Sequence, residues 1–157
     1  MNTAANEIVL PPEFSGPAPL VLYTRYGDPR VPGWENKWIT TWKPQLMHPW
    51  FPAEEVRIHK HFRPLLQDAF VELEGLGLHK EIISYHCGYH MAHIHESPVL
   101  SVHSWGAAID LNADENPTGS IGRWSKEFLE VMTTNGIYCG QNWHNKDPMH
   151  FAMVDGQ

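Results

Sequence analysis

Positive charge is scarce in this 157-residue sequence, where eleven Lys and Arg stand against eighteen Asp and Glu for a formal net charge of −7. Binding to phosphate needs clustered cations, so this balance argues against nucleic acid as the main partner. It also offers little electrostatic pull towards an anionic surface. Cysteine is scarcer still: Cys87 and Cys139 are the only two. That is too few for a disulfide framework, no Cys-x-x-Cys spacing is present, and the pair reads as reduced thiols packed as small apolar groups. Long apolar runs are missing, since no stretch approaches the ~18 residues of a membrane span. The opening "MNTAANEIVLPPEFSG" has neither the basic start nor the apolar stretch of a signal peptide. A soluble chain made in the cytoplasm is expected, without membrane insertion. What is present is globular: 42% hydrophobic residues, seven of them Trp, in a length that suits one domain with a real core. The eleven histidines are the oddity of the composition.

Prolines and tryptophans crowd the first fifty residues ("LPPEFSGPAPL", "DPRVPGWENKWITTWKP", "HPWFP"). Prolines this dense disfavour long helices. Residues 1–54 are therefore expected as extended segments wrapping a core of residues 55–157, pinned by Trp34, Trp38, Trp42 and Trp50. From Phe62 the pattern changes. Phe62, Leu65, Leu66, Ala69, Phe70, Leu73 and Leu76 recur at helical spacing, with Pro64 in the first turn. "EIISYHCGY" reads as a strand with Ile83 and Tyr85 on one face, and "GAAIDLNA" as another. "RWSKEFLEVMTTNG" predicts a helix capped by Ser125 and stopped by Gly136. "GIYCG" and "PMHFAM" predict short closing strands. Helices and strands mixed without a βαβ rhythm indicate a small α+β domain around an antiparallel sheet.

The chemistry concentrates in "SVHSWGAAIDLN", residues 101–112, and "DPMHF", residues 147–151. Strand parity sends Ile109 and Leu111 to the core and Asp110 to the opposite face. By the same parity Met149 and Phe151 take the core while His150 points away. If the two strands share a sheet face, His103, Asp110 and His150 converge. Two imidazoles and one carboxylate suit zinc and leave a fourth tetrahedral position open, the mark of a catalytic ion. Pro148 breaks the parity before it, so Asp147 is expected on the entering loop, within reach of the ion as a general base. Spacing alone leaves the plainer reading open, in which two surface histidines and a capping Asp hold nothing.

The joint pattern resembles the zinc peptidases that cut D-amino-acid-containing bonds of bacterial cell walls, the D-Ala-D-Ala carboxypeptidases and the L-alanyl-D-glutamate endopeptidases. These include phage endolysins and belong with lysostaphin and the hedgehog signalling domain. The family pattern, Ser-x-His-x-x-Gly-x-Ala-x-Asp followed by an acidic residue and His three apart, is complete at Ser101, His103, Gly106, Ala108, Asp110, Asp147 and His150. The likeness spans roughly residues 55 to 153. It implies one catalytic Zn2+ on His103, Asp110 and His150, Asp147 as catalytic base, and a central antiparallel sheet whose cleft holds the metal, with helices on one side. It further implies substrate contacts from Ser101 and from cleft aromatics near Trp143. The expected substrate is the peptidoglycan stem peptide, and an endopeptidase comes before a carboxypeptidase. A monomer of phage or prophage origin, acting on the wall after release, is the expected setting.

One position departs from the family. Relatives carry an Arg after the strand that ends in Gly-Tyr, whereas "GYHMAHIHESPVLS" places Ala92 or a neighbouring His there. His90, His93 or His95 substitutes for it, or activity is weakened, or the substrate differs. His93 and His95 are taken as cleft-lining candidates. A second metal site from Cys87 and the nearby histidines fits no usual zinc spacing, and His144 is a candidate support for the centre. Two rival functions stand beside the peptidase: a zinc-bearing domain that binds without cutting, and an amidase.

Overall fold

The computed structural model describes residues 10–156. Residues 1–9, on which the signal-peptide expectation partly rests, lie outside the described residues. The elements in chain order are α1 (Pro17–Tyr26), α2 (Trp34–Trp38), β1 (Ile39–Trp42), β2 (Val56–His59), α3 (Arg63–Gly75), β3 (Tyr85–Cys87), β4 (Ala108–Leu111), α4 (Lys126–Thr134), β5 (Tyr138–Gly140) and β6 (Asp147–Ala152). The architecture is α+β. A four-stranded antiparallel sheet runs β3-β4-β6-β5, and β1 and β2 form a separate antiparallel pair. No helix among the described residues is long and apolar enough to cross a membrane.

The sheet separates two apolar clusters. Ile109, Leu111 and Phe151 pack with Phe70 and Leu73 of α3 and Phe128 and Met132 of α4. Ala108 and Ala152 join Phe14, Ala18, Leu22, Trp34 and Trp105 in the second cluster. β4 is buried on both sides, and only Asp110 among its four residues keeps partial exposure. The N-terminal segment is less extended than its prolines suggest, because α1 begins at Pro17 with Pro19 in its first turn. The first-turn N–H groups have no partner inside a helix, so a proline there starts a helix instead of breaking one. Gly27, at φ +80°, ends α1 and donates its N–H to Tyr23 O.

α3 and α4 form as their periodicity predicts. Leu66, Ala69, Phe70 and Leu73 are fully buried. Ser125 caps α4 by accepting from Phe128 N at 3.1 Å. β3 is shorter than expected, and Ile83 is exposed instead of sharing the face of Tyr85. The reason is a side chain: Asn112 Oδ1 accepts from both Ile83 N and Ser84 N, at 2.9 and 3.1 Å, and takes those donors away from the ladder.

Candidate metal centre

His103 does not lie on a strand. It sits in a single 3-10 turn, Val102–Trp105, that feeds β4. Ser101 starts the turn by accepting from His103 N through its hydroxyl at 3.3 Å. Gly106 ends it at φ +66°, and a Cβ there would stand 2.6 Å from His59 N. Only glycine fits, and its carbonyl accepts from that same His59 N at 2.8 Å, tying the turn to β2. Asp110 follows on β4 and pairs directly with His150 on β6. Residues opposite each other in a ladder share a face, which brings carboxylate and imidazole together.

Asp147 is the first residue of β6 and not a loop residue. The β5–β6 register jumps, with Cys139 opposite Phe151 but Gly140 opposite Asp147. Such a bulge re-aims side chains, so Asp147 and His150 face the same space although they are three apart: Asp147 Oδ2 lies 4.0 Å from His150 Nδ1. Strict alternation also misplaces Met149. Parity sends it to the core, but it lines the cleft, because it lies within the irregular stretch.

The three expected ligands meet at one oxygen. Asp110 Oδ1 is 3.3 Å from His103 Nε2 and 3.8 Å from His150 Nδ1. His103 Nδ1 lies 2.8 Å from Gly88 O, and since a carbonyl only accepts, Nδ1 carries a proton and Nε2 is the nitrogen offered to the cleft. Burial disfavours a charge on His103, but its hydrogen bond to the Asp110 carboxylate outweighs that and holds its pKa up to about 10. His150 is the opposite case. Burial, then the charge of His103, pulls its pKa down to about 4, against the opposing pull of Asp110, so it is a neutral ring with a free lone pair. Its Nε2 is buried without a hydrogen-bond partner.

The two carboxylates diverge. Burial works against the Asp110 charge, yet His103 and His150 prevail and its pKa is lowered. Burial and the charge of Asp110 raise Asp147, opposed by Thr118, whose hydroxyl donates to Asp147 Oδ1 at 3.1 Å. The surroundings thus push the two carboxylates apart, favouring charge on Asp110 and a proton on Asp147. His103, Asp110 and His150 offer two nitrogens and one oxygen mutually within 4.8 Å. A partly solvated, three-donor N,N,O set fits zinc with an open position.

The centre floors a cleft of about 260 Å³ that Ser101, Thr118 and Met149 also line. His93 and His95 reach its rim, both exposed, and His95 lies 3.7 Å from Glu96. Trp143 does not line the cleft. Its ring packs 5.4 Å from that of His150, and its Nε1 donates to Asp155. His144 is exposed on the turn before β6. A larger groove of about 560 Å³, between α4 and Gln141, contains none of the donor set. Both cysteines are free. Cys87, Gly88 and Thr118 are neighbours of the centre that the sequence reading did not single out as such. Cys87 ends, and Gly88 follows, a strand whose partner register only the sheet reveals, and nothing in "NPTGS" marks Thr118.

Against known proteins, no curated protein and no solved structure matches this chain. Residues 95–153, less than half of it, match the family model described as D-alanyl-D-alanine carboxypeptidase. That span contains His103, Asp110, Asp147 and His150, so the part of the chain that carries the donor set is similar to a peptidase family.

Proposed function

We propose that this protein is a zinc-dependent peptidase of the peptidoglycan stem peptide. The observation that carries the reading is the convergence of His103 Nε2 and His150 Nδ1 on one Asp110 oxygen, with a second carboxylate, Asp147, beside them. His103, Asp110 and His150 would hold the zinc ion, which would supply Lewis acidity at the floor of the cleft. The protein's own part is orientation and proton transfer. Gly88 O holds the His103 ring, and Thr118 turns the Asp147 carboxylate. Asp147, its pKa raised by burial, takes the proton of the attacking water and returns it to the departing amine. Ser101, His93 and His95 offer polar contacts along the cleft to an extended peptide, and Trp143 braces His150 from outside it.

The sequence resemblance puts an L-alanyl-D-glutamate endopeptidase first. The family description puts release of a terminal D-alanine first, and this carboxypeptidase reading has the added support of the match over 95–153. A mass-spectrometric digest of purified peptidoglycan, with zinc-loaded and chelated protein, decides between them. Loss of terminal D-Ala only with metal identifies the carboxypeptidase, and new termini between L-Ala and D-Glu identify the endopeptidase. Asp147→Ala separates either from a non-catalytic domain: a peptidase loses turnover and keeps its zinc. The non-cutting reading draws on the absent arginine near Ala92, and metal-dependent products of any kind would end it.

A further inference from the structure

β3 carries a second irregularity, and it bears on the metal centre. Tyr85 pairs with Leu111 in β4, so a regular antiparallel ladder would set His86 opposite Asp110. The register slips by one residue, and Cys87 stands opposite Asp110 instead. His86 is left exposed, 3.2 Å from Ser84 Oγ. The bulge thus keeps a further imidazole away from the centre and delivers a thiol. The Cys87 thiol donates to Asp110 Oδ2 at 3.2 Å, the oxygen that does not face the two imidazoles. The next residue, Gly88, holds the His103 ring through its carbonyl, and it has no room for a Cβ, which would meet Arg57 O at 2.4 Å. Two consecutive residues at the end of β3 therefore grip two of the three metal ligands from behind.

We propose that Cys87 is the positioning residue of the carboxylate ligand: its S–H occupies Asp110 Oδ2 so that Oδ1 alone is turned to the metal. This rests on the metal-centre reading above. A neutral thiol suits the task because it is a weak donor that does not withdraw the carboxylate's charge from the ion. Hydrogen-bonded partners of ligating carboxylates commonly set metal affinity by 10–100-fold. Cys87 also lies 3.7 Å from His103 Nδ1 and, with that ring and His90, forms a second group of donors within 4.8 Å. That group would recruit the sulfur itself as a ligand, so protonation of the thiol in the loaded protein separates the two roles.

The probe is Co2+ titrated into the full chain, followed by its visible d–d bands, with Zn2+ competition for affinity. Cys87→Ala is expected to weaken Co2+ binding about 10-fold or more and to alter the band shape, whereas Cys87→Ser, which still donates a hydrogen bond, restores both. Cys139→Ala, away from the centre, is expected to leave binding unchanged. In the zinc-loaded Cys139→Ala protein, one infrared S–H stretch, shifted as for a hydrogen-bonded thiol, is expected from Cys87. That measurement needs no substitution at Cys87 and stands even if Cys87→Ala misfolds. Unchanged affinity in Cys87→Ala, a missing S–H band, or a sulfur-to-cobalt charge-transfer band would each overturn the positioning role while leaving the metal centre intact. Failure of the wild-type chain to bind Co2+ or Zn2+, with no effect of Asp110→Asn, would overturn both.

Discussion

His59 makes acid sensitivity a measurable property of this fold. It ends β2 fully buried, its ring 4.1 Å from that of Tyr26 and 5.2 Å from that of Trp38. Its Nδ1 accepts from His61 N at 3.0 Å, so the proton of the neutral ring sits on Nε2, which is buried without a partner. Burial first, then the nearby charges of His61 and Lys60, pull the pKa from 6.5 down to about 3. The unfolded chain accepts a proton that the folded chain refuses, so this stability is complete above pH ~6.5 and drains away as pH falls towards ~3. Each pH unit in that window costs about 1.4 kcal/mol, which amounts to roughly 2 kcal/mol between pH 7 and pH 5. Urea unfolding at those two pH values, for the wild type and His59→Phe in the presence of chelator, isolates this contribution. The lost His61 hydrogen bond and any misfit of the larger ring are the same at both pH values and cancel. The wild type is expected to lose about 2 kcal/mol more than the variant on acidification. An equal loss in both proteins would refute the buried neutral imidazole.

Zinc at a hundred times its dissociation constant is expected to stabilise the fold by about 2.7 kcal/mol, a shift that calorimetry reads and chelator reverses. Asp110→Asn should abolish that shift and weaken zinc by more than the ~100-fold attributed to loss of a supporting residue, as measured by competition with a chromophoric chelator. Gly106→Ala forces a Cβ into a left-handed turn and against His59 N. It is expected to cost more than about 1 kcal/mol in urea unfolding and to weaken zinc as well, since that turn carries His103. Ser125→Ala, which removes the cap of α4, should cost about 1 kcal/mol with no change in metal affinity.

Much of this protein is legible in its order of residues, and for a physical reason: local patterns express local energetics. The three-and-four spacing from Leu66 to Leu73 places one face of α3 in the core. The Ser125 hydroxyl marks the start of α4. Parity along "AIDL" puts Ile109 and Leu111 in the core and Asp110 on the opposite face, and it brings the carboxylate to the two histidines. Residue type then specifies the chemistry, because two imidazoles and a carboxylate favour a zinc-like ion wherever they meet.

Tertiary structure decided what depends on register and on partners distant in the chain. Two bulges, at Tyr85/Cys87 and at Cys139/Gly140, overrule simple alternation. They put Cys87 in place of His86 beside Asp110, and they turn Asp147 and Met149 to the cleft. A one-residue slip moves a side chain across a strand, and only the pairing partner determines whether the slip occurs. The prolines that argue against helix in isolation begin α1 at Pro17, because what forms there is set by burial of Ala18 and Leu22 beneath Trp105 and Phe14. The divergent protonation of His103 and His150 is of the same kind: two identical side chains, one held charged by a carboxylate and one kept neutral by burial. Residue type made both of them candidate ligands, and the surrounding fold alone set their protonation apart.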